Sequence, residues 1–193
     1  MAKFFGNLNL VLLIGVLISI GLMIGFNDQV NGWVEALNSA IRWLHVFFGI
    51  LWIGLLYYLN FVQVPTMPSI PAEQTGAINK HIAPSVLFYF RWAALFTVLT
   101  GLAVAGSGHY IKEALFFQGQ GAVTLIGIGM WMAIVMFLNV WVIIWPAQKK
   151  ILGIVEASDE DKAAAKPRAL AASRTNTLLS LPMLYCMISA NLG

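Results

Sequence analysis

The chain has 193 residues, of which 60% are hydrophobic and only 10% charged. Soluble domains carry about 25% charged residues, so this deficit, with a mean hydropathy of +0.81, excludes an ordinary soluble domain and points to an integral membrane protein. The net charge of +3 is scattered through the chain and forms no basic patch, so no nucleic-acid partner is expected. A single cysteine, Cys186, excludes an intrachain disulfide, and without a Cys-x-x-Cys-His motif no c-type haem is attached.

Five apolar segments follow in chain order, each near the ~20 residues that cross a bilayer. The first, over 8–26, has a short basic flank (Lys3); its apolar run exceeds that of a signal peptide and no cleavage site follows, so it reads as a retained helix. The second, over 40–62, contains His45, and the third, over 84–105, contains Arg91. The fourth covers 122–145 and the short fifth 177–191. Between the last two, residues 147–174 read as a loop with a charged surface helix broken near Pro167, its acidic residues Glu156, Asp159, Glu160 and Asp161 forming a solvated face. The fold expected is an all-α bundle of about five transmembrane helices, a single domain over 1–193.

Loop charges orient this bundle. Lys3, Lys80, Lys149, Lys150, Lys162, Lys166, Arg168 and Arg174 fall on one side, and Arg42 and Lys112 on the other. Eight against two is a positive-inside bias that puts the N-terminus inside, the C-terminus outside, and the chain in the inner (cytoplasmic) membrane as a multi-pass protein contacting lipid.

Ionisable groups within membrane helices are costly and mark candidate sites. His45 shares a helical stripe with Gly49, Leu56, Asn60 and Gln63. A glycine one turn from a histidine leaves room for a flat macrocycle, so His45 is a candidate axial ligand of non-covalent haem b; the competing reading is an interhelical hydrogen bond. His109 is the first candidate for a second metal ligand, with Met130 and Met187 behind it. A second polar set gathers near the inner helix ends: Asn60, Gln63, Arg91, Asn139, Arg174 and Asn176. Two guanidinium groups among amides suit a planar hydrogen-bonding anion or haem propionates. As structural alternatives, Arg91 snorkels to the interface while Arg174 and Asn176 cap a helix.

Several blocks carry a family resemblance. Leu44-His45-Val46-Phe47-Phe48-Gly49-Ile50-Leu51-Trp52, Tyr57-Tyr58 and Asn60-Phe61-Val62-Gln63-Val64-Pro65 are similar to the N-terminal membrane domain of PuuD-type urate oxidases. So are Phe90-Arg91-Trp92, the Asn139–Lys150 run, and Ser173-Arg174-Thr175-Asn176 with Pro182-Met183. A broader likeness extends to HemJ-type protoporphyrinogen oxidases and copper-resistance membrane proteins. The first resemblance implies urate oxidation in the membrane domain, with electrons passing to a c-type cytochrome tail outside. This sequence ends at Gly193 without such a tail, so a separate cytochrome or complex subunit is expected to take the electrons.

The function expected is therefore a haem-b membrane redox protein serving an external cytochrome or respiratory complex, with urate as the implied substrate. The alternative is a non-catalytic accessory subunit of a respiratory or oxygenase complex. Orientation is open to direct test: a reporter active only outside the cell, fused at Gly193, is expected to be active, and the same reporter near Lys162 silent. The reverse pattern overturns the assignment.

Overall fold

The computed structural model describes residues 5–26 and 30–190, which are all-helical with no strand among them. Lys3, Asn191 and Gly193, used in the expectations above, lie outside the described residues. The chain divides at Trp43/Leu44 into two compact units. The first contains helix α1 (Leu8–Phe26), none of whose residues is buried, and the start of α2 (Trp33–Ser69). The rest of α2, α3 (Glu73–Ser107), the short α4 (Ile111–Leu115), α5 (Ala122–Ile151) and α6 (Asp159–Ser189) belong to the second.

Four helices, α1, α2, α3 and α5, are long and apolar enough to cross a membrane. The fifth expected crossing falls short. Arg174 and Asn176 interrupt α6, and the apolar run from Thr177 to Ser189 spans only about 20 Å at 1.5 Å per residue. The expected break near Pro167 is also absent: α6 is one continuous helix of 31 residues that contains both Pro167 and Pro182. Packing accounts for this. Ala165 and Ala169 are buried with Ala147 of α5, and that contact offsets the lost backbone bond. The acidic run turns out to start α6. Ser158 caps it by accepting from the Asp161 N–H at 3.1 Å, and Asp159, Glu160 and Asp161 fill the first turn, where negative charge meets the positive helix end. Helix α2 starts at Trp33 rather than at 40, which places His45 well inside it.

The long helices α2, α3 and α5 are not regular throughout. Each holds one π-helical turn: Tyr58–Gln63, Ile78–Ile82 and Asn139–Ile144. In all three a proline stands two residues beyond the turn, at Pro65, Pro84 and Pro146. Proline has no N–H, and its ring clashes with the carbonyl four residues back. Relief comes one residue earlier. Val64, Ala83 and Trp145 each donate their N–H five residues back, to the carbonyls of Leu59, Ile78 and Val140. The wider turn opens the helix locally and re-aims its side chains.

The core of the second unit is built on Trp52, Leu56, Phe90, Met136 and Val140, all essentially inaccessible. Helices α5 and α6 approach closely at Gly129, where an added Cβ would lie 2.9 Å from the Cβ of Cys186. Replacing Gly129 with Leu is expected to force them apart, at a cost of about 1–3 kcal/mol. Because Cys186 is the only cysteine and is buried, maleimide labelling reports the change: slow in the parent, fast in Gly129→Leu. Equal rates would mean that the contact is not maintained.

Candidate functional site

The polar residues expected at the inner helix ends form a seam where α2, α5 and α6 meet. Asn60 lies within the first π-turn and Asn139 opens the third. Asn60 is 1% exposed; its Nδ2 donates to the Leu56 carbonyl at 2.9 Å and to Ser173 Oγ at 2.8 Å. The Arg174 guanidinium donates to the Asn60 carbonyl at 3.3 Å, an acceptor in a turn whose backbone bonding is already irregular. On the next faces of α6, fully buried Asn176 accepts from Asn139 Nδ2 and donates to the Met136 carbonyl, both at 2.9 Å. One turn further, Tyr57 and buried Ser180 share a hydrogen bond of 2.9 Å.

Three side-chain atoms on α2 are buried without a partner among the described residues: Asn60 Oδ1 and Gln63 Oε1 at the first π-turn, and Trp52 Nε1 two helical turns before Asn60. A buried polar atom left unpaired costs about 1–3 kcal/mol, so the neighbouring Asn60 and Gln63 oxygens call for an occupant or ordered water. Both are amide acceptors, and Arg174 supplies charge nearby.

Arg91 stands apart from this network. Its guanidinium stacks 3.9 Å from the Trp145 ring centroid and 5.4 Å from that of Phe88, and its side chain makes no hydrogen bond among the described residues. Its backbone carbonyl accepts from Trp141 Nε1 at 3.2 Å. A stacked guanidinium is held in place while its N–H groups stay free.

His45 lies elsewhere, half-buried between α2 and α3. Its Nδ1 is 2.9 Å from the Thr97 carbonyl, with Thr100 Oγ1 at 3.4 Å. This is the interhelical hydrogen bond weighed against ligation in the sequence. It also puts the proton on Nδ1 and leaves Nε2 as the lone-pair nitrogen, the orientation of a metal-binding imidazole. The close approach at the ring is made by Gly101, where an added Cβ would come within 2.8 Å of Cε1; a Cβ at Gly49 would meet only Thr97 Cγ2, at 3.9 Å. His109 is exposed beyond the end of α3 on left-handed backbone (φ 59°). Met130 packs with Ala105 and Ala114, and Met187 lies against that cluster. No group of three or more His, Cys, Asp or Glu residues that could hold a metal ion occurs among the described residues. The His45 imidazole is thus a single nitrogen donor, and among the described residues no cluster of metal ligands accompanies it.

Sequence reasoning named four members of the seam but missed Tyr57, Ser173 and Ser180, whose small hydroxyls gave no signal of their own. Ser173 and Ser180 are seven residues apart, two turns on one face of α6, with Asn176 between them at helical spacing.

Residues 110–193 match the family described as urate oxidase N-terminal, which bears out, over that stretch, the resemblance read from the sequence. The matched residues include Asn139, Arg174 and Asn176; the blocks around His45, Asn60 and Arg91 precede them. No curated protein and no solved structure matches the chain.

The Asn139–Asn176 contact has a measurable worth. A double-mutant cycle with Asn139→Ala and Asn176→Ala in unfolding from detergent is expected to give a coupling of about 0.6–1.7 kcal/mol, the range for interhelical hydrogen bonds in membranes. A coupling of zero would remove this bond from the seam.

Proposed function

We propose that this chain is a membrane redox protein of the urate oxidase N-terminal kind, whose polar seam takes a planar, hydrogen-bonding substrate of the urate class. The observation that carries this reading is the pair of unpartnered buried amide oxygens at the π-turn of α2, Asn60 Oδ1 and Gln63 Oε1. Urate presents ring N–H donors and carbonyl acceptors in one plane and carries negative charge near neutral pH. The amide oxygens accept from its N–H groups. Arg174, held by the Asn60 carbonyl, offers its remaining N–H donors to the carbonyls and the charge. The family match over 110–193 supports the same class.

His45 is the residue that would hold a non-covalent haem b, with Nε2 toward the iron and Nδ1 anchored on Thr97. Haem, when bound, would supply one-electron chemistry, and the acceptor beyond it would be a c-type cytochrome or a partner subunit of a larger complex. The protein's own contributions are separate: the seam orients the substrate, the core of Trp52, Leu56 and Phe90 keeps water out, and Thr97 fixes the imidazole tautomer. The positive-inside bias sets this arrangement in the cytoplasmic membrane with its basic helix ends inward.

The test combines two measurements on purified protein. The parent is expected to contain haem by pyridine haemochrome, and His45→Ala to lose most of it. With an artificial electron acceptor, urate consumption is expected, and Asn60→Leu and Gln63→Leu are each expected to raise KM roughly tenfold, the worth of one hydrogen bond. A haem-free parent that leaves urate unchanged would overturn the redox reading in favour of an accessory subunit.

A further inference from the structure

A second concentration of positive charge lies on α3 and α5, away from the seam. Lys80, Arg91 and Lys149 pair with no carboxylate among the described residues. The two ion pairs found there use other lysines: Lys150 with Asp161 at 3.1 Å and Lys162 with Asp159 at 3.6 Å. Glu73 and Glu156, the acidic residues nearest in sequence, form no ion pair with the three. Arg91 and Lys149 flank one indole, at 3.9 and 5.9 Å from the Trp145 ring.

A hollow of about 450 Å³ opens at the same helix ends, lined by Asn79, Lys80, Pro84, Ile151, Leu152 and Ile154 among others. It is continuous in sequence with the cation stack. Pro84 is one helical turn from Phe88, which Arg91 touches, and Ile151 is two residues from Lys149. The π-turn Ile78–Ile82 carries Asn79 and Lys80 into its wall. The lining of the hollow therefore joins the ammonium, amide and proline ring of Lys80, Asn79 and Pro84 from α3 to the apolar side chains of Ile151, Leu152 and Ile154.

We propose that this hollow seats the headgroup of an anionic phospholipid. Lys80 and Asn79 hold the phosphate, the apolar wall takes the glycerol and first methylenes, and Lys149 and Arg91 add charge along the gap between α3 and α5. Free phosphate shares the anionic chemistry but has no use for the apolar wall. Basic pockets between membrane helices select anionic headgroups on these grounds, and the attraction grows with each lysine or arginine at the surface. The proposal is independent of what occupies the seam.

Native mass spectrometry of the delipidated full chain tests it, with phosphatidylglycerol, phosphatidylcholine and inorganic phosphate as separate probes. Phosphatidylglycerol is expected to bind at least roughly 30-fold more tightly than phosphatidylcholine, given two to three unpaired cations. The double variant Lys80→Gln/Lys149→Gln is expected to bring the two lipids to parity, while Lys80→Arg/Lys149→Arg keeps the preference. These are exposed or half-buried positions, and an unchanged detergent unfolding midpoint shows that the fold persists. Equal binding of the two lipids by the parent, or a preference that survives the glutamine variant, would overturn the proposal. So would inorganic phosphate binding as tightly as the lipid, which would identify a soluble-anion site.

Discussion

A helix that crosses hydrocarbon has to satisfy its backbone polar groups inside the protein, and three prolines in this chain prevent the regular solution. Pro65, Pro84 and Pro146 each withdraw a donor and push back a carbonyl. The helices answer with π-turns at Tyr58–Gln63, Ile78–Ile82 and Asn139–Ile144. Two of these turns carry Asn60 and Asn139 into the interface with α6, and the third carries Lys80 to the rim of the basic hollow. The chain's most distinctive polar features thus share one backbone device.

The seam shows what such a device offers. Its amides have fixed partners on one side: Asn60 with Ser173 and Leu56, Asn139 with Asn176, Asn176 with Met136. Those bonds lock the Asn60 side chain, so its unpaired oxygen is held ready beside that of Gln63. A site prepared this way binds without first ordering its own groups. The two arginines divide the work of charge. Arg174 is tied to the seam through the Asn60 carbonyl, while Arg91 is held by aromatic faces and keeps its donors for another partner.

His45 illustrates how one contact serves two readings. A hydrogen bond to the Thr97 carbonyl is sufficient reason for a histidine between two membrane helices. The same bond leaves Nε2 unprotonated, and Gly101 lets the ring lie close against α3. Joining helices and presenting a ligand nitrogen are compatible roles for one imidazole.

The all-helical class and the places of the four helices long and apolar enough to cross a membrane followed from composition and run length alone, because the cost of charge in hydrocarbon acts on each residue regardless of its neighbours. Most of the seam was legible for the same reason: Asn60, Asn139, Arg174 and Asn176 are conspicuous in apolar surroundings. The regular spacing of proline after each π-turn was present in the sequence as well, but Pro167 and Pro182, which α6 accommodates without one, show that proline by itself does not predict the turn. Only tertiary packing decided the rest. It carried α6 through Pro167 on a face of buried alanines, moved Arg91 onto Trp145, packed the His45 ring against Gly101, and recruited Tyr57, Ser173 and Ser180. Each of these depends on which surface of a neighbouring helix lies opposite, a relation between residues far apart in the chain that local pattern does not encode.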